Sequence, residues 1–196
     1  ILFFTNKGKV YRLKAYQIPE SGRQAKGTAI VNLLEIEPDE KITTVIPVHE
    51  YNEGMYLILA TKEGIVKKTD LMEYDNIRKG GLTAVTLREN DELIGVRLTD
   101  GTNDLMLVTR NGMSIRFNET DVRPLGRVSQ GVRGIKLDDD DYVIGMVAID
   151  KDDEDKDSTL LVVTENGFGK RTEIDEYKVQ ARGGKGILTY KVTEKT

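Results

Sequence analysis

Two columns of basic side chains, each recurring four times, are the residues of this 196-residue chain whose type and spacing could do chemistry. In the first, Arg12, Lys68, Arg116 and Arg171 each stand four residues beyond a glycine. In the second, Arg23 and Lys26, Arg78 and Lys79, Arg123 and Arg127, and Arg182 and Lys185 each sit in a loop that runs into a glycine. Guanidinium and ammonium groups neutralise phosphates, and glycine lets backbone N–H groups approach an anion closely. Repeated once per unit, the second column would form a basic track suited to a long, bent polyanion, with no obvious code for reading bases. The competing reading of that column is ordinary turn chemistry with solvated Lys and Arg. For the first column it is edge-strand protection, in which charges discourage pairing between sheets.

No catalytic constellation stands beside these columns. The only histidine, His49, has no second His or Cys with which to complete a metal set. Asp138 to Asp141 lacks the alternating ligands and turn glycine of a calcium loop and reads as a solvated hairpin turn. Neither a catalytic residue, a metal ligand nor a cofactor site is read from the chain.

The formal net charge is −4, yet the charges are unevenly placed. Asp138 to Asp157 holds ten acidic residues and two lysines, which leaves 27 basic against 23 acidic residues elsewhere. Partner choice therefore depends on where the basic groups sit, not on the whole-chain charge. The absence of cysteine removes disulfides and thiolate metal sites and fits a cytoplasmic location. No apolar run approaches the roughly 20 residues of a membrane-spanning helix, and no signal peptide is visible. Ile1 opens inside an apolar run with no initiator Met, so a piece of a longer protein is expected.

The elements that must position these columns also repeat. A Thr-x-x-Gly turn follows an apolar run at Thr5–Gly8, Thr61–Gly64, Thr109–Gly112 and Thr164–Gly167, with 56, 48 and 55 residues between successive turn glycines. A period near 50 residues is the signature of a repeat architecture. Period-two patterning between turns predicts four strands per unit, with units near 1–48, 55–99, 104–149 and 159–196, the last incomplete. The third strand of each unit leaves Gly27, Gly81, Gly131 or Gly186. It places Val31, Val85, Ile135 or Tyr190, and then Leu33, Leu87, Leu137 or Val192, on one side facing the core. The chain is thus read as one all-β domain of propeller-like, four-stranded blades, with a β-sandwich or tandem barrels as alternatives. Lys151 to Asp157 reads as a solvated loop between units.

At Gln180-Ala181-Arg182-Gly183-Gly184-Lys185-Gly186 the second column resembles a known motif. It differs only at Ala181 from Q-R-R-G-G-K-G, the box of the C-terminal domain of DNA gyrase A. Val10 to Pro19, Ile30 to Leu34, Gly64 to Thr69 and Gly131 to Ile135 are also similar to that domain, in its order, so the resemblance covers essentially the whole chain.

The resemblance implies a six-bladed β-pinwheel whose blades exchange strands, with about four blades present here. It further implies a non-catalytic module that binds double-stranded DNA without sequence preference and wraps it round a basic perimeter. In the family, this wrapping lets the parent type II topoisomerase introduce negative supercoils, with ATP and Mg held on other domains or subunits. The implied partners are DNA, the rest of the gyrase A polypeptide, and gyrase B, in the cytoplasm and nucleoid of a bacterium. One departure concerns the box, which in the family belongs to the first blade but here lies in a later one. The first and last blades and the catalytic domain with its tyrosine are expected to be missing, so incomplete DNA binding and no cleavage are implied. On these grounds Gln180, Gly183, Gly184 and Gly186 join the basic residues as candidate DNA contacts. The related polypeptide of topoisomerase IV is the alternative, against which the run Ile30 to Leu34 favours gyrase. A propeller used as a protein-docking scaffold is the reading from another class.

Overall fold

Every repeat opens as a hairpin because its Thr-x-x-Gly turn closes on itself. In all four copies the glycine N–H donates to the Thr carbonyl at 3.0 Å. The N–H after the glycine donates to the Thr hydroxyl at 3.2 or 3.3 Å. The turn glycines take φ between +73° and +82°, a left-handed conformation that glycine adopts without steric cost. The computed structural model describes residues 1–151 and 158–196; the remainder of the loop expected at Lys151 to Asp157 lies outside the described residues.

The hairpins are β1 (Leu2–Thr5) with β2 (Lys9–Arg12), and then, after β3 (Ile42–Ile46), β4 (Tyr56–Thr61) with β5 (Ile65–Asp70). Beyond β6 (Leu82–Thr83) and β7 (Leu93–Thr99) comes β8 (Asp104–Thr109) with β9 (Met113–Asn118). Beyond β10 (Val132–Arg133) and β11 (Val143–Ile149) comes β12 (Thr159–Val163) with β13 (Gly169–Glu173), and β14 (Ile187–Leu188) follows. The closing strand of each of the first three repeats (β3, β7 and β11) pairs antiparallel with that repeat's first strand. The register slips where the turn threonine begins, at Phe4/Thr5, at Ala60/Thr61 and opposite Thr109. A bulge repeated at one position bends and twists each sheet in the same way.

The third strand of a repeat does not join its own sheet. β6 pairs with β2, β10 with β5 and β14 with β9, so each completed sheet borrows its outermost strand from the next repeat. Three four-stranded sheets result, in the orders β3-β1-β2-β6, β7-β4-β5-β10 and β11-β8-β9-β14, followed by the two-stranded sheet β12-β13. The chain is an all-β, propeller-like array whose blades exchange strands. β3, β7 and β11 contact one another in turn at one end of the sheets, which puts the borrowed strands at the opposite, outer end.

The core is a series of seams between adjacent sheets. Leu2, Phe4 and Val10 pack against Leu57, Leu59, Tyr74 and Val85; Ile58 and Val66 pack against Leu105, Leu107, Phe117 and Ile135. Val85 and Ile135 thus face a core as expected, Tyr190 is half-buried, and Val192 is exposed.

The first repeat departs from the expected pattern. Its third strand, predicted from Gly27 through Leu33, is instead a one-turn 3-10 segment at Ile30–Asn32, and Val31 is 60% exposed. Residues 28–33 pair with no strand among the described residues. Their backbone groups bond locally, Asn32 N–H to the Ala29 carbonyl and Leu33 N–H to that of Ile30, because the polar main chain must find a partner somewhere. Ile30 and Leu34 turn onto the outer face of the first sheet, against Phe3 and Tyr11.

Candidate nucleic-acid interface

The borrowed strand decides where the second basic column lies. To reach the preceding sheet, the chain crosses the seam between repeats at the outer end, so the loop before β6, β10 or β14 lies over that seam. The glycines that end these loops dock against backbone. A Cβ on Gly131 would stand 2.5 Å from the Val66 carbonyl oxygen, and one on Gly186 would stand 2.1 Å from that of Ser114. The amide of Gly183 donates to the Gly134 carbonyl at 2.6 Å, and the Gly184 carbonyl accepts from Lys136 at 2.8 Å. These glycines, expected to open backbone to phosphate, serve first to seat one repeat on the next.

The side chains of the column divide into two groups. Arg23, Lys26, Arg78 and Arg123 are exposed and make no ion pair among the described residues. Lys79 pairs with Glu35 at 2.9 Å while remaining solvent-facing. The others are partly committed to the fold. Arg182 donates from Nε to the Asp121 carbonyl at 2.9 Å and from Nη1 to that of Arg133 at 3.0 Å. Gln180 is half-buried, its amide bonded to the Arg116 carbonyl at 2.8 Å. Arg127 is half-buried, and its backbone N–H faces Glu73 at 3.4 Å.

Lys185 Nζ lies 2.6 Å from Asp138 Oδ1. The acidic segment beginning at Asp138 therefore meets the basic track at its first residue. Asp138 follows the borrowed strand of the third repeat, and the next repeat's loop docks on that same edge. Asp141 is structural, accepting from the Asn111 amide at 3.0 Å and the Tyr142 amide at 2.9 Å.

The first basic column does something neither sequence reading anticipated. Three of its members reach across the seam to the turn that follows the next repeat's hairpin. Arg12 donates to the Asp75 carbonyl. Lys68, 4% exposed, lies 3.4 Å from Glu119 Oε2 and 4.2 Å above the centre of the Tyr56 ring. Arg116 places two guanidinium nitrogens 3.0 Å from one Asp104 oxygen and donates to the carbonyls of Ile174 at 2.9 Å and Tyr177 at 3.1 Å. These contacts brace one repeat on the next. Arg171, on the last hairpin, is exposed and bonds only Thr159 of its own sheet among the described residues.

A further group escaped the sequence reading. Lys67 is 1% exposed, and its ammonium donates to the carbonyls of Ala84 at 2.6 Å, Gly126 at 3.4 Å and Arg127. Burial pushes its pKa down to about 8. The available signal was a lysine three residues past a turn glycine, where Tyr11 and Ile115 stand in other repeats. Burial, and then the hydrogen bond donated to Glu40 at 2.8 Å, raises the Tyr11 phenol well above its ordinary value. Among the described residues no group of His, Cys, Asp and Glu is arranged to hold a metal ion, and no helix is long and apolar enough to cross a membrane.

Comparison with known proteins follows the repeats. The family described as DNA gyrase C-terminal domain, beta-propeller, matches residues 1–49, 56–100, 103–150 and 158–195. The DNA gyrase A proteins of Clostridium acetobutylicum and Mycolicibacterium smegmatis are 57% identical over 196 residues and 48% identical over 197 residues, respectively. Each alignment takes in all of this chain and 23% of the relative, so the chain spans under a quarter of their length. Among solved structures, the C-terminal domain of a DNA topoisomerase IV is 33% identical with a TM-score of 0.87, covering 95% of this chain and 57% of that one. A DNA gyrase A C-terminal domain is 26% identical with a TM-score of 0.81, covering 99% of this chain and 61% of that one.

Proposed function

The chain belongs to the DNA gyrase C-terminal domain family, and from that premise we propose that it is a non-catalytic module that binds duplex DNA and bends it round the outer edge of the array. The observation that carries this reading is the recurrence, ahead of the borrowed strands β6 and β10, of solvent-facing basic loops holding Arg78 and Lys79, and Arg123, with Arg23 and Lys26 exposed in the corresponding loop of the first repeat. Lys185 and the half-buried Arg127 and Arg182 extend the series. The loops before β6, β10 and β14 overlie successive seams, so a duplex following them must curve with the array.

The contact is with phosphates. No recognition helix is present among the described residues to enter a major groove, and the loops offer point charges in place of a pattern of base-reading donors and acceptors. Binding energy comes from counterion release, which is insensitive to sequence. In a parent type II topoisomerase, the curved path would present a DNA segment to the cleavage core and favour negative supercoiling. ATP and Mg would be used on other domains or subunits, and the rest of gyrase A, with gyrase B, would be the protein partners in a bacterial cytoplasm and nucleoid. The likeness to the topoisomerase IV domain supports a second reading, in which the same wrap serves that enzyme. Supercoiling by the parent enzyme separates the two. A protein-docking propeller would show no duplex binding at all.

Arg78 and Arg123 are the cleanest probes because neither makes an ion pair among the described residues. Replacing both with alanine should shallow the log–log salt dependence of duplex binding by about one to two units, since each phosphate contact contributes about 0.9. The loss should be equal on two duplexes of unrelated sequence. An unchanged slope, or a large preference for one duplex, overturns the phosphate track.

A further inference from the structure

Of the four basic loops, the one running from Arg123 to Ser129 is anchored differently from the rest. The loop before β14 holds itself, through the Arg182 side chain and the Gly183 amide, and Gly184 packs against Ile115. The loop before β10 carries Pro124, Leu125 and Val128 in place of that glycine box. From below it receives a buried lysine. Lys67 Nζ donates to Gly126 and Arg127 within the loop, and to Ala84 just past the borrowed strand β6.

An ammonium has three protons and no acceptor capacity, and here its three acceptors are three main-chain carbonyls. The charged groups facing it are Glu73 and Arg127, both close enough to influence its titration. Glu73 meets the loop a second time, through the Arg127 amide. Around this anchor the loop is tied by the Leu125 amide to the Lys68 carbonyl at 2.8 Å, the Ser129 amide to Gly126 at 3.1 Å, and the Thr86 hydroxyl to Val128 at 2.6 Å.

We infer that Lys67 is a positioning residue for the DNA track: it fixes the Arg123–Ser129 loop so that Arg123 and Arg127 are presented at the outer edge, and it touches no DNA itself. This rests on the phosphate-track reading. It departs from a simple count of surface charge, because a lysine invisible to solvent controls the contribution of two arginines. Removing its charge leaves the Arg127 carbonyl without its donor, and those of Gly126 and Ala84 with only the Ser129 amide and the Tyr74 hydroxyl, and frees the loop to sample conformations that scatter those arginines. The phosphate contacts are then lost without either arginine being altered.

The test uses Lys67→Met and Lys67→Gln, Lys67→Arg as the rescue, and Arg123→Ala with Arg127→Ala as the reference, all in the full chain. For whichever of the Met and Gln variants unfolds cooperatively, the salt slope should shallow by about one to two units, matching the reference. Combining it with Arg123→Ala and Arg127→Ala should cause no further change, and Lys67→Arg should restore most of the slope. A folded variant with an unchanged slope, or losses that add to those of the arginines, overturns the inference.

A measurement on the unmutated chain guards against misfolded variants. The Leu125 and Ser129 amides should exchange with solvent at least tenfold more slowly than the Ala25 amide, in a loop that has no lysine beneath it; equal rates also overturn the inference. If the arginine reference itself leaves the slope unchanged, the phosphate-track reading fails at this loop, and whether the Leu125 and Ser129 amides exchange faster in the folded Lys67 variant than in the unmutated chain still decides whether Lys67 anchors it.

Discussion

Replacing Lys68 with Met tests whether the first basic column braces the repeats or binds DNA. Glu119 is fully buried and receives three donors: Lys68 Nζ at 3.4 Å, the Thr99 hydroxyl at 2.8 Å and the Asn103 amide at 2.8 Å. Met keeps the volume of the lysine stem but leaves the carboxylate with neutral donors only. Breaking one side of a buried ion pair costs about 3–5 kcal/mol, because the remaining charge has no compensation. Loss of the contact with the Tyr56 ring falls within that figure, at about 1 kcal/mol. For a chain of this length each kcal/mol lowers the melting temperature by about 2–4 °C, so a fall of roughly 6–20 °C is expected.

Glu119→Gln should cost less, about 1–3 kcal/mol, since one amide oxygen still accepts a bond. The double variant should recover at least about 1 kcal/mol relative to the sum of the singles, as contacting residues couple. Urea unfolding of the four proteins measures this cycle, and a salt titration of duplex binding on the same samples measures the slope. The slope should not change, because Lys68 never reaches the surface. A loss of stability below about 1 kcal/mol together with a slope shallower by about 0.9 would refute the brace and return Lys68 to the track.

Other outcomes follow from the same geometry. Gly186→Ala should destabilise the chain by about 2–5 kcal/mol in thermal or urea unfolding, combining a left-handed φ of +76° with a Cβ 2.1 Å from the Ser114 carbonyl oxygen. Gly27→Ala, at a similar φ with nothing within 4 Å, should cost only about 1 kcal/mol. Because burial lowers the Lys67 pKa to about 8, the unfolded chain binds more protons than the folded one between that value and the ordinary lysine value. The Lys67 contribution to stability should therefore rise with pH from about 8 towards 10.5 and vanish from the profile of Lys67→Met, while the raised phenols of Tyr11 and Tyr74 make stability fall above pH 10. Asp138→Asn should release Lys185 for phosphate, raising duplex affinity at low salt up to about fivefold with stability changed by less than about 1 kcal/mol, since the pair is exposed.

Much of the array is local in origin and so was legible in the amino-acid sequence. The Thr-x-x-Gly turns need only their own hydroxyl, carbonyl and glycine, and the hairpins they close follow in register. The repeat period, the apolar first strands and the basic loops ahead of Gly81, Gly131 and Gly186 are likewise properties of contiguous residues. What contiguous residues do not carry is the identity of a strand's partner. Residues 27–33 alternate as well as residues 81–87 do, yet the latter pair with β2 through Leu82 and Thr83, and the former fold into a 3-10 turn. Charge in sequence likewise does not reveal which side of a seam a side chain occupies. Lys67 and Lys68 are adjacent and alike in type, and only Lys68 falls in a recurring column. The tertiary structure buries both, one under a loop of the next repeat and the other against Glu119, because β5 is covered on each face by a neighbouring sheet and a charge there must find carbonyls or a carboxylate. The chain alone thus determines that basic residues recur once per repeat; only the packing of repeat on repeat decides which of them hold the array together and which are left facing solvent.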